Sequence, residues 1–277
     1  MLTILSLLFA AALVRGKLKH MNYCIRTVAI SALLLFNPFT SLIAQTVTVE
    51  SLDQDGTRRT TLIASLSDDS TKLRYSGQIV ESNDVVKLFS HPNLREIVMS
   101  SGGGSVKAAI QLANIIRERK ILLTIDGVCL SSCANYLFTA ARRKRLLPGS
   151  LLAIHGSLST NPSPELRHSD EALVERAFIS KLGIDARLYS LWDNYADYLK
   201  SSGKLDSVLG QNPPAGCSKA RLWAPSRTDL EVFGVMGIEE FWYPTTQKEF
   251  AMLGGEAKAI AEYVAFVPAA EIKKLCH

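Results

Sequence analysis

The chain has 277 residues, 47% of them hydrophobic, and a formal net charge of +5, which is enough apolar material for one sizeable core. Four of its basic side chains, Arg15, Lys17, Lys19 and Arg26, stand in the first 44 residues with no acid among them, so the rest of the chain carries only +1. That near-neutral balance gives no electrostatic grip on nucleic acid, and a nucleic-acid partner is excluded on this ground.

The apolar runs at residues 2–14 and 28–36 both fall short of the ~20 residues that span a bilayer. From Met21 the order is a short segment with Arg26, the apolar run at 28–36, and small residues ending at Ala44. This is the layout of a secretory signal. It predicts a leader over residues 1–44 with Met21 as the true start, cleavage near Ala44, and a periplasmic or secreted bacterial protein. An uncleaved leader is then the only route to a membrane. Cys24 precedes the apolar run and is wrongly placed for lipoprotein processing.

Residues 45–277 read as a single α/β domain. Residues 45–69 alternate loosely, as a leading strand or hairpin does, and 72–79 alternate around Gly77 as a strand. A short helix is expected from Asp84 to Phe89 and a strand over 94–99. Gly102, Gly103 and Gly104 then form a tight turn before a helix patterned by Val106, Ala109, Ile110, Ala113 and Ile116. Glycines leave backbone N–H groups uncovered, and a helix N-terminus adds positive potential, so this turn suits a developing anion. Residues 121–125 are a buried strand, and residues 127–133 a second turn.

Ser132 heads an apolar helical segment over 134–140, where helix N-capping is its plain structural role. Arg142, Arg143, Lys144 and Arg145 read as a solvated loop. After a turn at Pro148 and Gly149, residues 151–154 make a buried strand that ends at His155. Strand ends are where α/β proteins place reactive side chains. Residues 162–211 are rich in helix formers, a lid or an interface, and Asp193 and Asp197 share one helical face there. A short strand at Trp223 and a helix over 256–265 complete the chain.

Four cysteines follow the leader: Cys129, Cys133, Cys217 and Cys276. In an exported protein they predict disulfides, with three pairings open. Cys129 with Cys133 would clamp the turn presenting Ser132, and Cys217 with Cys276 would tie down the C-terminus. Their spacing does not suit zinc, and neither a metal nor a cofactor is expected.

The stretch SSGGGSV, the helix SCANYLFTAA and the strand PGSLLAIHG together resemble the ClpP/crotonase superfamily, within it the Clp protease and signal peptide peptidase type of serine hydrolase. The likeness runs from Lys72 to Gly156, with a weaker echo near Arg221 to Ile238, and is greatest to periplasmic Clp-like proteins. It implies a mostly parallel sheet with right-handed βαβ crossovers and an additional helical segment after the histidine. It also implies a nucleophile at Ser132, with Ser131 as the alternative, and His155 as the base. The oxyanion donors would be the N–H groups of Cys133 and Gly104, with Gly103 as second choice. The chain departs from the family where Ala220 stands at the position of the Clp aspartate, leaving Asp185, Asp193, Asp197 and Asp229 as candidates for the third member.

These features lead to an exported serine hydrolase, a peptidase acting on a peptide or protein substrate, with the homo-oligomers common among related enzymes as a further expectation. A non-catalytic module holding a peptide or partner on the same scaffold is the alternative, since folds outlive activities. Acyl-CoA chemistry of the crotonase kind needs no serine and histidine together, and CoA is cytoplasmic.

Overall fold

The computed structural model describes residues 45–52, 58–160, 163–191, 222–266 and 268–270. The expected leader, Asp193, Asp197, Cys217, Cys276 and the second part of the helical segment, 192–211, lie outside the described residues. Strands β1 (Thr46–Leu52) and β2 (Arg58–Leu66) pair antiparallel, and β2 pairs antiparallel with β3 (Lys72–Gly77). From β3 onward the sheet is parallel, through β4 (Glu96–Ser101), β5 (Leu122–Leu130), β6 (Arg143–Leu146) and, at the far edge, β9 (Ile238–Phe241). Helix α1 (Asn83–Phe89) links β3 to β4, and α2 (Val106–Arg119) links β4 to β5. Such βαβ crossovers are what parallel neighbours require.

Both helices begin as capping chemistry dictates. Ser82 and Ser105 accept from the N–H groups of Val85 and Ala108, satisfying donors that the first turn leaves without a carbonyl. The face of α2 carrying Ala109, Ala113 and Ile116 is fully buried and packs against a π-helical segment, Cys133–Phe138, and against α3 (Asp170–Leu182). Within the sheet, Leu73, Ile97, Leu123 and Ile125 are inaccessible to solvent, as expected of parallel strands covered on both faces.

Strand β5 changes partner along its length. Its first half pairs with β6, and its second half, Val128 to Leu130, pairs with the short strand β7 (Leu151–Ala153). The change occurs at Gly127, whose N–H donates to Ser150 Oγ at 2.9 Å, while Val128 N–H donates to Ser100 Oγ at 3.1 Å. The strand expected over 121–125 thus continues through residues that read as a turn in the sequence. Strand β8 (Leu222–Trp223) pairs with β10 (Val264–Ala265), and Trp223 and Ile154 exchange backbone hydrogen bonds of 2.8 Å in both directions. The return strand expected at Trp223 therefore braces the end of β7.

The basic run is a correction. Residues Arg143–Leu146 form β6, not a loop, and Lys144 is completely buried between exposed Arg143 and half-buried Arg145. The cause is the period of two: Arg143 and Arg145 point outward to Glu239 on β9, at 2.6 and 2.8 Å, and Lys144 points inward. Among the described residues, no helix is long and apolar enough to cross a membrane.

Candidate active site

Strand β5 ends at Leu130, and the chain then turns sharply into the π-helical segment. Ser131 occupies that turn with φ of 53°, a left-handed conformation that non-glycine residues adopt at a cost of about 1 kcal/mol or more. Neighbours hold it there. Ser131 N–H donates to Ala153 O at 3.2 Å, and its carbonyl accepts from Asn135 N–H at 2.7 Å. A disulfide between Cys129 and Cys133 spans the same turn, with Cα atoms 5.2 Å apart. The first of the two expected cysteine pairs is therefore formed.

His155 follows β7 by two residues, and β7 lies beside the end of β5. This register brings His155 Nε2 within 2.6 Å of Ser131 Oγ. With its proton on Nδ1, the imidazole accepts from the serine hydroxyl, the arrangement of a nucleophile and its base. Ser132, the first choice from the sequence, is 4% exposed and its hydroxyl donates instead to Gly104 O at 2.8 Å. It precedes the π-helix but does not cap it with its side chain. The one-residue difference follows from the left-handed turn, which directs Ser131 toward β7 and Ser132 toward the glycines.

The glycine turn wraps directly over this corner. A Cβ on Gly103, at φ of 99°, would lie 2.7 Å from Ser131 Cβ and 2.9 Å from Leu130 O. One on Gly104, at φ of 147°, would lie 2.2 Å from Ile79 O. Only glycine permits these approaches. Gly103 N–H is engaged with Ser101 Oγ at 3.1 Å, whereas Gly104 lines the cavity in front of Ser131 and His155. The residue next to Ser131 is Ser132 rather than Cys133, and both N–H groups lie in the first turn of the following helix, where no preceding carbonyl is supplied. Cys133 itself is buried in the disulfide.

The two acid candidates among the described residues, Asp185 and Asp229, have other partners. Asp185 is paired with Arg187. Asp229 sits in a capping box with Ser226, accepting from Ser226 N–H at 2.9 Å and from Ala269 N–H at 2.9 Å. Among the described residues no carboxylate is hydrogen-bonded to His155.

Two polar residues that the sequence reading passed over are central here. Glu175, on α3, is fully buried. It accepts from the Tyr136 hydroxyl, from Leu158 N–H at 3.3 Å, and from Ser159 N–H and Oγ at 2.7 and 2.6 Å. It thereby ties the π-helix after Ser131 to the segment after His155. Burial, and then this carboxylate, push the Tyr136 phenol far up from its ordinary value. Asn135 is 1% exposed, and its Nδ2 donates to His155 O at 3.1 Å and to Gly156 O at 3.5 Å. Its signal was available: an amide in an otherwise apolar helical run is a buried polar group in search of partners.

In front of Ser131 lies a cavity of about 230 Å³, bounded by Gly104, Val106, Asn135, Tyr136, His155 and Leu158 among others. A larger polar cleft of about 600 Å³ runs along the other side of the glycine turn, past Ser76, Gln78 and Gly102. Comparison with models of known protein families and with curated proteins finds no match for this chain.

Proposed function

We propose that the protein is an exported serine hydrolase of the ClpP/crotonase kind, a peptidase, with Ser131 as nucleophile and His155 as base. The observation that carries the proposal is the 2.6 Å approach of Ser131 Oγ to His155 Nε2 at a left-handed strand-to-helix turn. A serine is a weak nucleophile until a positioned base takes its proton. In the proposed reaction, Ser131 Oγ attacks the acyl carbon while His155 Nε2 receives the proton and then delivers it to the leaving group. The oxyanion is met by Gly104 N–H and Ser132 N–H, donors fixed before the charge develops. Gly103, with its N–H held by Ser101, shapes the turn instead.

The disulfide at the serine turn supports export, because such bonds persist in oxidising compartments. The mostly parallel sheet with its βαβ crossovers supports the superfamily. One observation favours the second reading, a binding module on the same scaffold: no described carboxylate orients His155. In the hydrolase reading His155 works in a dyad, oriented through its own carbonyl by Asn135 and through the preceding Ile154 by Trp223.

Labelling of the purified, oxidised protein with a fluorophosphonate tests the proposal, since the probe reports an activated serine without a known substrate. Labelling is expected in wild type and Ser132→Ala and absent in Ser131→Ala and His155→Ala. Loss in Ser132→Ala alone would reverse the choice of nucleophile. A folded wild type that takes no label favours the binding module.

A further inference from the structure

The disulfide at the serine turn is placed symmetrically about the nucleophile. Cys129 lies two residues before Ser131 and Cys133 two after it. Between them the chain leaves β5, passes through the left-handed backbone at Ser131 and enters the π-helical segment. Cys129 stands between Ser101 on β4 and Leu152 on β7. Ser101 Oγ accepts the Gly103 N–H of the glycine turn, and β7 leads to His155. Cys133 opens the π-helix carrying Asn135, whose amide donates to the His155 carbonyl. One covalent bond therefore closes the turn on which the nucleophile, its base and the glycine turn converge.

A bridge across so small a ring does little for the fold as a whole, because the chain entropy that a disulfide removes grows with the length of the loop it closes. Its two ends are also fixed without it: β5 by its ladder to β4, and the π-helix by its packing on α2. The turn between them is held less firmly. Its hydrogen bond from Ser131 N–H to Ala153 O is 3.2 Å long, and a left-handed serine relaxes toward ordinary backbone wherever its surroundings allow. Both cysteines are completely buried, with Cys133 Sγ 3.6 Å from Met99 Sδ. Soluble oxidants and reductants do not reach them in the folded protein, so the bond is made on the open chain, before the turn closes, and is kept from then on.

We propose that this bond is a condition for activity: Cys129 and Cys133 are positioning residues whose oxidation on the newly exported chain gives Ser131 its reactive geometry, and the reduced protein folds with a silent serine. The inference rests on the exported-hydrolase reading above. The oxidant is a disulfide compound. The thiolate of one cysteine attacks it to form a mixed disulfide, and the thiolate of the other displaces the remaining half. Two electrons and two protons thereby pass from the cysteines to the oxidant, which leaves as two thiols. A chain still in a reducing cytoplasm keeps both thiols, so the hydrolase stays silent until it has reached an oxidising compartment.

In the test, the full-length protein is refolded from urea with an excess of either dithiothreitol or its oxidised form. Peptide mapping by mass spectrometry after alkylation reports the Cys129–Cys133 bond separately from the other cysteines. Fluorophosphonate labelling of Ser131 is expected to be about ten- to a hundredfold slower in the reduced protein, while circular dichroism shows both forms folded. A chain carrying Cys129→Ala and Cys133→Ala together is expected to label at the reduced rate in either buffer; if it does not fold, the two wild-type forms decide alone. Labelling rates within about twofold in those forms, or the oxidised rate in the double variant, overturn the inference and leave the hydrolase reading standing. A reduced wild type that does not fold overturns it too, because the bond then serves the fold rather than the serine. If the oxidised protein takes no label, the hydrolase reading fails and the activation role fails with it.

Discussion

Lys144 is a buried ammonium on a sheet strand, and its titration predicts an unusual pH dependence of stability. Its Nζ donates to Thr139 O at 3.1 Å and lies 5.3 Å from the centre of the Phe138 ring, and no carboxylate neutralises it among the described residues. Burial first, and the nearby Arg117 guanidinium second, lower its pKa from 10.5 to about 7. Between those values the unfolded chain binds a proton that the folded protein does not, so stability rises with pH. Below pH ~7 both states hold the proton and the full penalty applies. Over the window from pH 6 to pH 9 this linkage amounts to ~3 kcal/mol, since each pH unit of full difference contributes about 1.4 kcal/mol. Lys144→Met keeps the length of the side chain and removes the charge. Urea midpoints of wild type and variant, measured at unit steps from pH 6 to pH 9, isolate Lys144 because all other groups cancel in the difference. The variant's advantage at pH 6 is expected to shrink by ~3 kcal/mol at pH 9. A difference constant to within about 0.5 kcal/mol, well below the linkage expected for a desolvated lysine, refutes the reasoning.

Two further predictions concern the corner that holds the serine. In Gly103→Ala the new methyl group meets Ser131 Cβ and Leu130 O in a backbone conformation that alanine resists, so the turn must shift. Fluorophosphonate labelling is expected to slow about a hundredfold, and an unchanged rate would show that the glycine turn does not position the nucleophile. Glu175→Gln turns an N–H₂ toward donors that the carboxylate accepts from, leaving at least one of Leu158, Ser159 and Tyr136 unpaired. It should cost about 2–3 kcal/mol in a urea titration and lower the labelling rate, because the segment after His155 loses its anchor; stability within about 0.5 kcal/mol of wild type counts against that clamp.

Apart from β6, the order of strands and helices from Lys72 to His155 was legible because it rests on local signals. The alternation around Gly77 and the helical spacing from Val106 to Ile116 each belong to one element. Partner changes are not local. Gly127 reads as a turn in the sequence, yet β5 runs through it, because Ser150 and Ser100 satisfy the backbone where β6 gives way to β7. The basic run misleads for the same reason. Nothing within it marks alternate residues as inward and outward until Glu239, almost a hundred positions later, takes up Arg143 and Arg145.

The choice between Ser131 and Ser132 turns on a quantity that sequence does not carry, the sign of one φ angle. With Ser131 left-handed, its hydroxyl faces His155 and that of Ser132 faces Gly104. Three constraints converge on that angle. The disulfide fixes both ends of the turn, Gly103 leaves room for it, and Ala153 accepts its N–H. Downstream, the π-helical segment leaves Asn135 O to the Tyr189 hydroxyl at 3.0 Å and the Thr139 hydroxyl at 2.6 Å. A π-bulge of this kind is a local irregularity that tertiary partners must sustain. It seats Asn135 and Tyr136 between the serine turn, the carbonyl of His155 and Glu175. The serine, the histidine and the cavity before them are therefore held as one unit by residues on five elements, and a change at Glu175 or Gly103 is expected to reach Ser131 although neither side chain takes part in the chemistry.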